Sequence, residues 1–365
     1  MPELWIPYGT VETLVTIQAE NLGAVSEAPA GGPTLDVERL VELARGSASV
    51  FVCDAAPATL EVLKGLAAPP GATPQAFYSP APKRIEASVP ELKGRITTLP
   101  PPLPAKEGDD VTVAPELKAA GTKLFIGTAK PDPFFGLLDA KVEACLDWVA
   151  RARAMAAEGE KTMEPAPFRK GTPYEAIEEM VERITEPKFV TVVPRGGKAQ
   201  AALEDAPFDA IKNAFARTQM PQAKGLVVGA GGCGYDDTLS SAVRGVWNVV
   251  DAVRKTGTIL LIAECSEGVG STALEMMVTG RLSDDKRRHG VYVDGLEEVF
   301  YLNKLKDEYD MLLLSGLPET YARSKLGLVT AKGSGEAVGR LLNKVGRSGK
   351  VNVVPRAPEC LIESA

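Results

Sequence analysis

Histidine is nearly absent from this 365-residue sequence: there is one, His289. A histidine triad, a histidine pair or a histidine-rich metal site cannot be assembled from this chain alone. His289 lies in a polar stretch, 287–290, that reads as surface. Cysteine is sparse as well. The five, Cys53, Cys145, Cys233, Cys265 and Cys360, are odd in number, widely spread and form no C-x-x-C pair. That pattern excludes a disulfide framework and predicts reduced thiols in a cytoplasmic protein. No apolar run reaches the ~18 residues that cross a bilayer. The opening MPELWIPYG has no basic segment followed by an apolar core, so neither a membrane span nor a secretory leader is expected. Positive charge is not in excess either. The net charge is −7, and phosphate backbones are bound by clustered Lys and Arg, so no nucleic-acid partner is expected. The one basic stretch, 281–288, carries two aspartates and reads as a solvated loop.

What is present describes an ordinary globular protein, nearly half apolar and about a quarter charged. The length suffices for two domains with full cores. In the first half, strand patterns at 12–18, 48–53, 94–98 and 123–127 are separated by helical patterns at 37–43 and 58–66. A proline-rich excursion occupies 67–110, including Pro100, Pro101, Pro102 and Pro104. A helix runs from about Lys141 through Trp148 to 157, a polar break follows, and 174–184 reads as a bridging helix. The second half alternates regularly: strands at 189–193, 226–228, 258–263, 311–315 and 351–354, with helices at 207–215, 238–255, 271–279, 318–324 and 334–345. Such alternation predicts a two-domain α/β protein whose C-terminal domain is a doubly wound, largely parallel sheet. The expected bounds are 1–157, a linker and bridging helix at 158–186, and 187–365.

The densest signal is 225–271. An apolar run enters the glycine cluster Gly229, Gly231, Gly232 and Gly234; a helix ending at Gly257 follows; a second strand opens into the polar turn 264–270. Both turns lie where parallel strands end at their carboxyl termini, the edge at which α/β sheets bind ligands. Gly229-x-Gly231-x-x-Gly234 matches the dinucleotide fingerprint letter for letter. Asp236 and Asp237, however, stand at the positive end of the helix, where a pyrophosphate would need bare N–H groups. Glu264 also falls about ten positions too late for the ribose contact. Simple chain reversal explains the glycines as well.

The order of features resembles the nickel-dependent lactate racemase family of two-domain α/β proteins. The resemblance spans nearly the whole chain. It begins at Pro7-Tyr8-Gly9, passes through the Asp54 turn and through the Gly127 turn leading to Lys141, and is clearest at Gly231-Gly232 with Asp236 and Leu239 and at Ala263–Gly270. Leu314–Pro318 and Val353–Pro355 are late matches. The resemblance implies a racemase or epimerase of 2-hydroxy acids, with the site in the interdomain cleft and a nickel-pincer nucleotide joined to a lysine. Lys141 stands at the position of that lysine, although Leu137, Leu138 and Asp139 replace glycines before it; a solvated helix lysine is the plain alternative. Asp132 falls near the family's catalytic histidine, Arg244 at its substrate-side lysine, and Ser241 at a glutamine. Gly231, Gly232, Asp236, Ser241 and Glu267 are the implied cofactor contacts beside Lys141. Asp132 or Tyr235 would replace the base, and Arg244 would fork a substrate carboxylate, if it is not simply an exposed helix cation. The family's histidines are missing, and no metal ligand is assigned.

Three readings therefore stand: a 2-hydroxy-acid isomerase with altered residues and a small carboxylate ligand, a non-catalytic relative binding a ligand or protein, and an NAD-binding oxidoreductase using Gly229–Gly234.

Overall fold

The computed structural model describes residues 2–26, 35–67, 76–98, 115–146, 151–152, 155, 164–182, 184–282 and 292–365. His289, most of the basic stretch 281–288, the proline run 100–104, Trp148 and residues 156–163 lie outside the described residues.

The chain forms two compact α/β units, each discontinuous in sequence. The first comprises Met1–Pro29, Pro131–Phe134 and Ala216–Ala365; the second comprises Ala30–Lys130 and Phe135–Phe215. These bounds differ from the linear ones expected at 157 and 187. Strand Leu22–Val25 pairs with Val351–Val354, and strand Pro187–Arg195 pairs with Lys123–Thr128, so each half of the chain lends strands to the other half's sheet.

In the first unit six strands run parallel in the order Val329–Ala331, Asp310–Leu314, Val253–Ile262, Ala223–Gly229, Val351–Val354 and Leu22–Val25. Alternate residues serve opposite faces, as period-2 geometry requires. Val227, Leu260, Ile262, Leu312 and Val353 pack on one face with Ala337, Val338 and Leu341 of helix Ser334–Val345, and with Ile6, Val15 and Ile17 of an antiparallel hairpin. Leu226, Val228, Ile259 and Leu261, on the other face, are equally buried. Sheets covered on both sides read as continuous apolar runs, which is why these strands were visible in the sequence.

One helix is shorter than its sequence pattern. Leu239–Trp247 ends at Asn248, a single 3₁₀ turn follows at Val250–Ala252, and the next strand already begins at Val253. Gly257 lies inside that strand and not at a helix end. The valines at 249, 250 and 253 fit helical spacing, but β-branched residues are stiff and favour strands, and Val253 pairs with Ala223. Helix Leu296–Glu308, strand Lys198–Glu204 and the hairpin strand Glu3–Tyr8 were not expected.

In the second unit the order is Lys198–Glu204, Pro187–Arg195, Lys123–Thr128, Ser49–Val52, Phe77–Ser79 and Ile96–Thr98, parallel except for the first pair. One face carries Val50, Val52, Leu124, Ile126, Val190 and Val192 against Leu40, Val41 and Ala44 and against Val62, Leu63 and Leu66. The other carries an aromatic ladder: Tyr78, Phe51, Phe125 and Phe189 stack across four strands at centroid spacings of 4.9, 4.7 and 5.2 Å.

Both sheets reverse direction. In the second unit the chain adds strands outward from Ser49–Val52 and then returns to place Lys123–Thr128 on its other side. In the first, it moves outward from Ala223–Gly229 and returns at Val351–Val354. At such switch points the carboxyl ends of neighbouring strands diverge and a crevice opens.

Phe125 is 1% exposed and stacks on both sides. Phe125→Ala is expected to cost about 3–5 kcal/mol in equilibrium urea denaturation, and a loss under about 1 kcal/mol would show that the ladder contributes little.

Candidate functional site

The strand-end loops of the first unit converge on Asp236, which is fully buried. Its Oδ2 accepts from the backbone N–H of Gly9 at 2.8 Å and of Glu264 at 3.1 Å, and its carbonyl accepts from Cys265 N at 2.8 Å. Its Oδ1 has no hydrogen-bond partner among the described residues. Burial raises the Asp236 pKa, with the backbone donors opposing and the Glu264 charge adding to the rise. Asp237 repeats the arrangement, its Oδ2 accepting from Gly234 N and its carbonyl from Glu267 N, each at 2.8 Å. Burial and the same acidic neighbours push the Cys265 thiol and the Tyr8 phenol upward.

The glycines serve these turns. Gly231 and Gly232 adopt φ of +94° and +83°, the left-handed region that side chains avoid. A Cβ on Gly231 would lie 2.9 Å from the Tyr235 ring, whose residue is itself buried. At the helix start the N–H groups that a pyrophosphate would use are already engaged. The first four N–H groups of helix Leu239–Trp247 are taken by Gly268 O, Val269 O, Thr238 Oγ1 and Thr238 O, at 3.0–3.2 Å. The switch point is filled too: Ala230 bridges to Arg356, and the Pro355 carbonyl packs directly on Gly229. Ser241 belongs to the helix cap, its Oγ 3.0 Å from Thr238 Oγ1, and Glu267 is exposed in its turn.

Two sequence candidates do meet. Arg244 Nε lies 3.7 Å from Asp132 Oδ2, and Arg244 Nη2 donates to Glu298 Oε1. Asp132 and Glu298 are both buried, and Arg244 keeps 21% of its side-chain exposure. Tyr301 on the Glu298 helix donates to Pro133 O at 3.2 Å and packs edge-on to Trp247, holding the pieces together. Glu298 was missed; in the sequence it is one of two glutamates in a first helical turn, where acids are ordinary.

Lys141 belongs to the second unit. It begins helix Ala140–Cys145, behind the Asp139 N-cap, and its Nζ is 3.6 Å from Glu178, which Lys170 approaches to 2.8 Å. Asp139 accepts from Tyr174 Oη at 2.9 Å.

A second cluster, mostly overlooked in the sequence, occupies the second unit's switch point. Asp54 follows strand Ser49–Val52 and accepts from Thr128 N at 2.6 Å and Ala56 N at 2.8 Å. Lys130, just past strand Lys123–Thr128, lies 3.3 Å from Asp54 Oδ2 and 2.6 Å from Glu143 Oε1. Burial opposes ionisation of Asp54, yet Lys130 and the two N–H groups outweigh it and hold the carboxyl below its usual value. Burial foremost, aided by the Asp54 charge against the pull of Lys130, raises Glu143 to about 8. Burial also tends to lower Lys130, but the two carboxyl groups win and raise it. The Asp54 turn and the Gly127 turn had marked this place, but no charged group beyond Asp54 was singled out there, because residues 54, 130 and 143 are far apart in sequence.

No protein-family model and no curated protein matches the chain. Solved structures do. The lactate racemase apoprotein from Thermoanaerobacterium thermosaccharolyticum superposes with a TM-score of 0.69 at 13% identity, over 99% of this chain and 100% of that one. A protein from Thermotoga maritima gives 0.61 at 12% identity, over 90% and 96%. At these identities the likeness is one of fold: the chain has a lactate-racemase-like α/β fold.

Two measurements test the clusters. Asp236→Ala strands two buried N–H donors at about 1–3 kcal/mol each, so a total loss of about 2–6 kcal/mol is expected in chemical denaturation, with Asp236→Asn costing less. Equal stability of wild type and the alanine variant would remove the hub. Glu143 keeps its proton in the fold up to about 8, against an ordinary 4.5. Its contribution is therefore complete below pH 4.5 and lost as pH rises toward 8. Asp54, shifted the other way, loses its own contribution only under more acid conditions. Urea melts from pH 5 to 8 should show wild type losing stability relative to Glu143→Gln; parallel profiles would contradict the assignment.

Proposed function

We propose that this lactate-racemase-like chain handles a small organic ligand without the nickel-pincer hydride transfer that its sequence resemblance implies. The carrying observation is the closure of Arg244. A guanidinium that is to fork a substrate carboxylate must be unanswered before the substrate arrives; here Glu298 and Asp132 both answer it. Among the described residues two carboxylates face this one cation, and a 2-hydroxy acid would bring a third negative charge to the same place. Asp132, placed near the family's base, is tied to that cation.

The donor set does not fit the cofactor either. A nickel-pincer nucleotide needs a lysine free to carry it and an imidazole for the metal and the proton. Lys141 is paired with Glu178, and the single histidine of the sequence lies outside the described residues. Among the described residues no cluster of three His, Cys, Asp or Glu side chains is suited to a metal. The scaffold argues for a ligand site, since strand-end loops remain ordered around Asp236; the charged groups argue against the ancestral chemistry.

Protein made alongside a complete nickel-pincer synthesis pathway is expected to keep an unmodified Lys141 by intact mass, to carry no stoichiometric nickel, and to leave D- and L-lactate uninverted. A mass increase on Lys141 with nickel bound would overturn the reading. The Asp132→Asn, Glu298→Gln double variant exposes the Arg244 charge, and should bind lactate at least about 10-fold more tightly than wild type in calorimetry, since a charged hydrogen bond contributes about 1.5–3 kcal/mol.

A further inference from the structure

The strand order of the second unit places its switch point between Ser49–Val52 and Lys123–Thr128, the kind of sheet edge where ligands bind. In the first unit the equivalent place is filled by backbone. In the second it holds side chains that bear charge: Asp54, Lys130 and Glu143. Asp54 closes the end of strand Lys123–Thr128 and the entry of helix Pro57–Ala67 through Thr128 N and Ala56 N, whereas Lys130 and Glu143 answer each other through their side chains. Burying two carboxyl groups and one ammonium costs stability unless each is answered, and one carboxyl is in excess.

The molecule answers the excess with a proton. Both Asp54 and Glu143 lie against the one Lys130 ammonium, and burial together with the Asp54 charge raises Glu143 while Lys130 and the backbone N–H groups hold Asp54 down. Asp54 is pinned by two backbone N–H groups and by Lys130, so the proton belongs to Glu143. Glu143 Oε2 is buried, meets no N–H or O–H donor among the described residues, and lies against Gly127, where a Cβ would come within 3.4 Å of it. Lys130 has three N–H donors; one is given to Glu143 Oε1, Asp54 lies 3.3 Å away as an ion-pair partner, and 18% of the side chain is exposed. Cys53 faces the same groups; burial, Glu143 and Asp54 push its thiol well up, so it stands as a neutral wall. Cys145, on the Glu143 helix, interacts with Cys53.

We propose that Asp54, Lys130 and Glu143 form an acid–base site acting on a small carbonyl compound, with Glu143 exchanging the proton on the carbon next to the carbonyl and Lys130 holding the oxygen. The ionised Glu143 carboxylate takes the proton from carbon. The C–H electron pair becomes the C=C bond of an enolate, and the carbonyl π pair moves onto oxygen, beside the Lys130 ammonium. Return of the proton from Glu143 restores the carbonyl compound, so no electrons leave the pair. Asp54 acts through the other two as a positioning residue: it fixes Lys130, and its charge keeps Glu143 basic enough to take a carbon-bound proton. Two carboxyl groups driven apart in acidity by their surroundings are the pattern of an acid–base pair. The inference goes beyond the loss of nickel chemistry and does not depend on it.

The test uses the full chain in D₂O with pyruvate, a charged probe, and dihydroxyacetone, a neutral one, following deuterium entry at carbon by proton NMR from pH 6 to 9.5. At least one probe should exchange faster than buffer, with a rate that rises with pH and levels near pH 8. Glu143→Gln replaces a protonated carboxyl by its isostere and should fold; it should slow exchange by roughly 100-fold or more. Lys130→Met should slow it too and move the inflection upward. Exchange of neither probe above the Glu143→Gln level overturns the proposal. So does a carbon-13 titration of wild type in which Glu143 ionises in the ordinary carboxylate range. Nickel on the protein would leave both of these readouts standing, so the two readings fail separately.

Discussion

A single buried carboxylate organises the loops at one end of the first unit's sheet. Asp236 is fully enclosed, yet it accepts from Gly9 and Glu264, which lie far from it in sequence. Its neighbour Asp237 and the carbonyls of both residues hold Gly234, Cys265 and Glu267. Buried N–H groups without partners are costly, so these turns keep their shape only while the carboxylates are present. That requirement explains why two aspartates follow a glycine cluster. They supply acceptors to the protein's own backbone, and no pyrophosphate is needed to do so.

The same accounting of buried charge separates the two clusters. Around Arg244, among the described residues, the carboxylates outnumber the cation, and the guanidinium is closed from two sides. Around Lys130 they also outnumber it, but there the surplus is met by a proton on Glu143. A closed guanidinium holds structure; a carboxyl kept near the point of ionisation is chemically available. The shared scaffold with lactate racemase therefore need not carry a shared reaction, since function resides in the groups that stand at the site.

Much of the architecture was legible beforehand. Strand runs such as Leu226–Val228 and 123–127 are apolar without interruption because both sheet faces are covered, and helix 334–345 shows its stripe plainly. The misreadings are equally physical. Valines 249, 250 and 253 fit two periods at once, and pairing of Val253 with Ala223 decided between them. Leu22–Val25 is a short edge strand whose partner is more than three hundred residues away, beyond any local pattern. Of the site residues, Asp132 and Arg244 were both named from the resemblance and do meet, but Glu298 between them had no signal of its own. Lys141 stands at the anchor position that the resemblance implies, and its pairing with Glu178 has no sequence signature.

By itself the sequence determined the class of fold, through the period of its apolar residues, and the scarcity of imidazole, through a simple count. Both are properties of composition and local spacing. Tertiary structure alone decided which charges answer one another. Asp54, Lys130 and Glu143, like Arg244 with Glu298, become neighbours only when strands reorder in a sheet, and the strength of a buried ion pair or a retained proton depends on distance and dielectric, which no linear spacing contains.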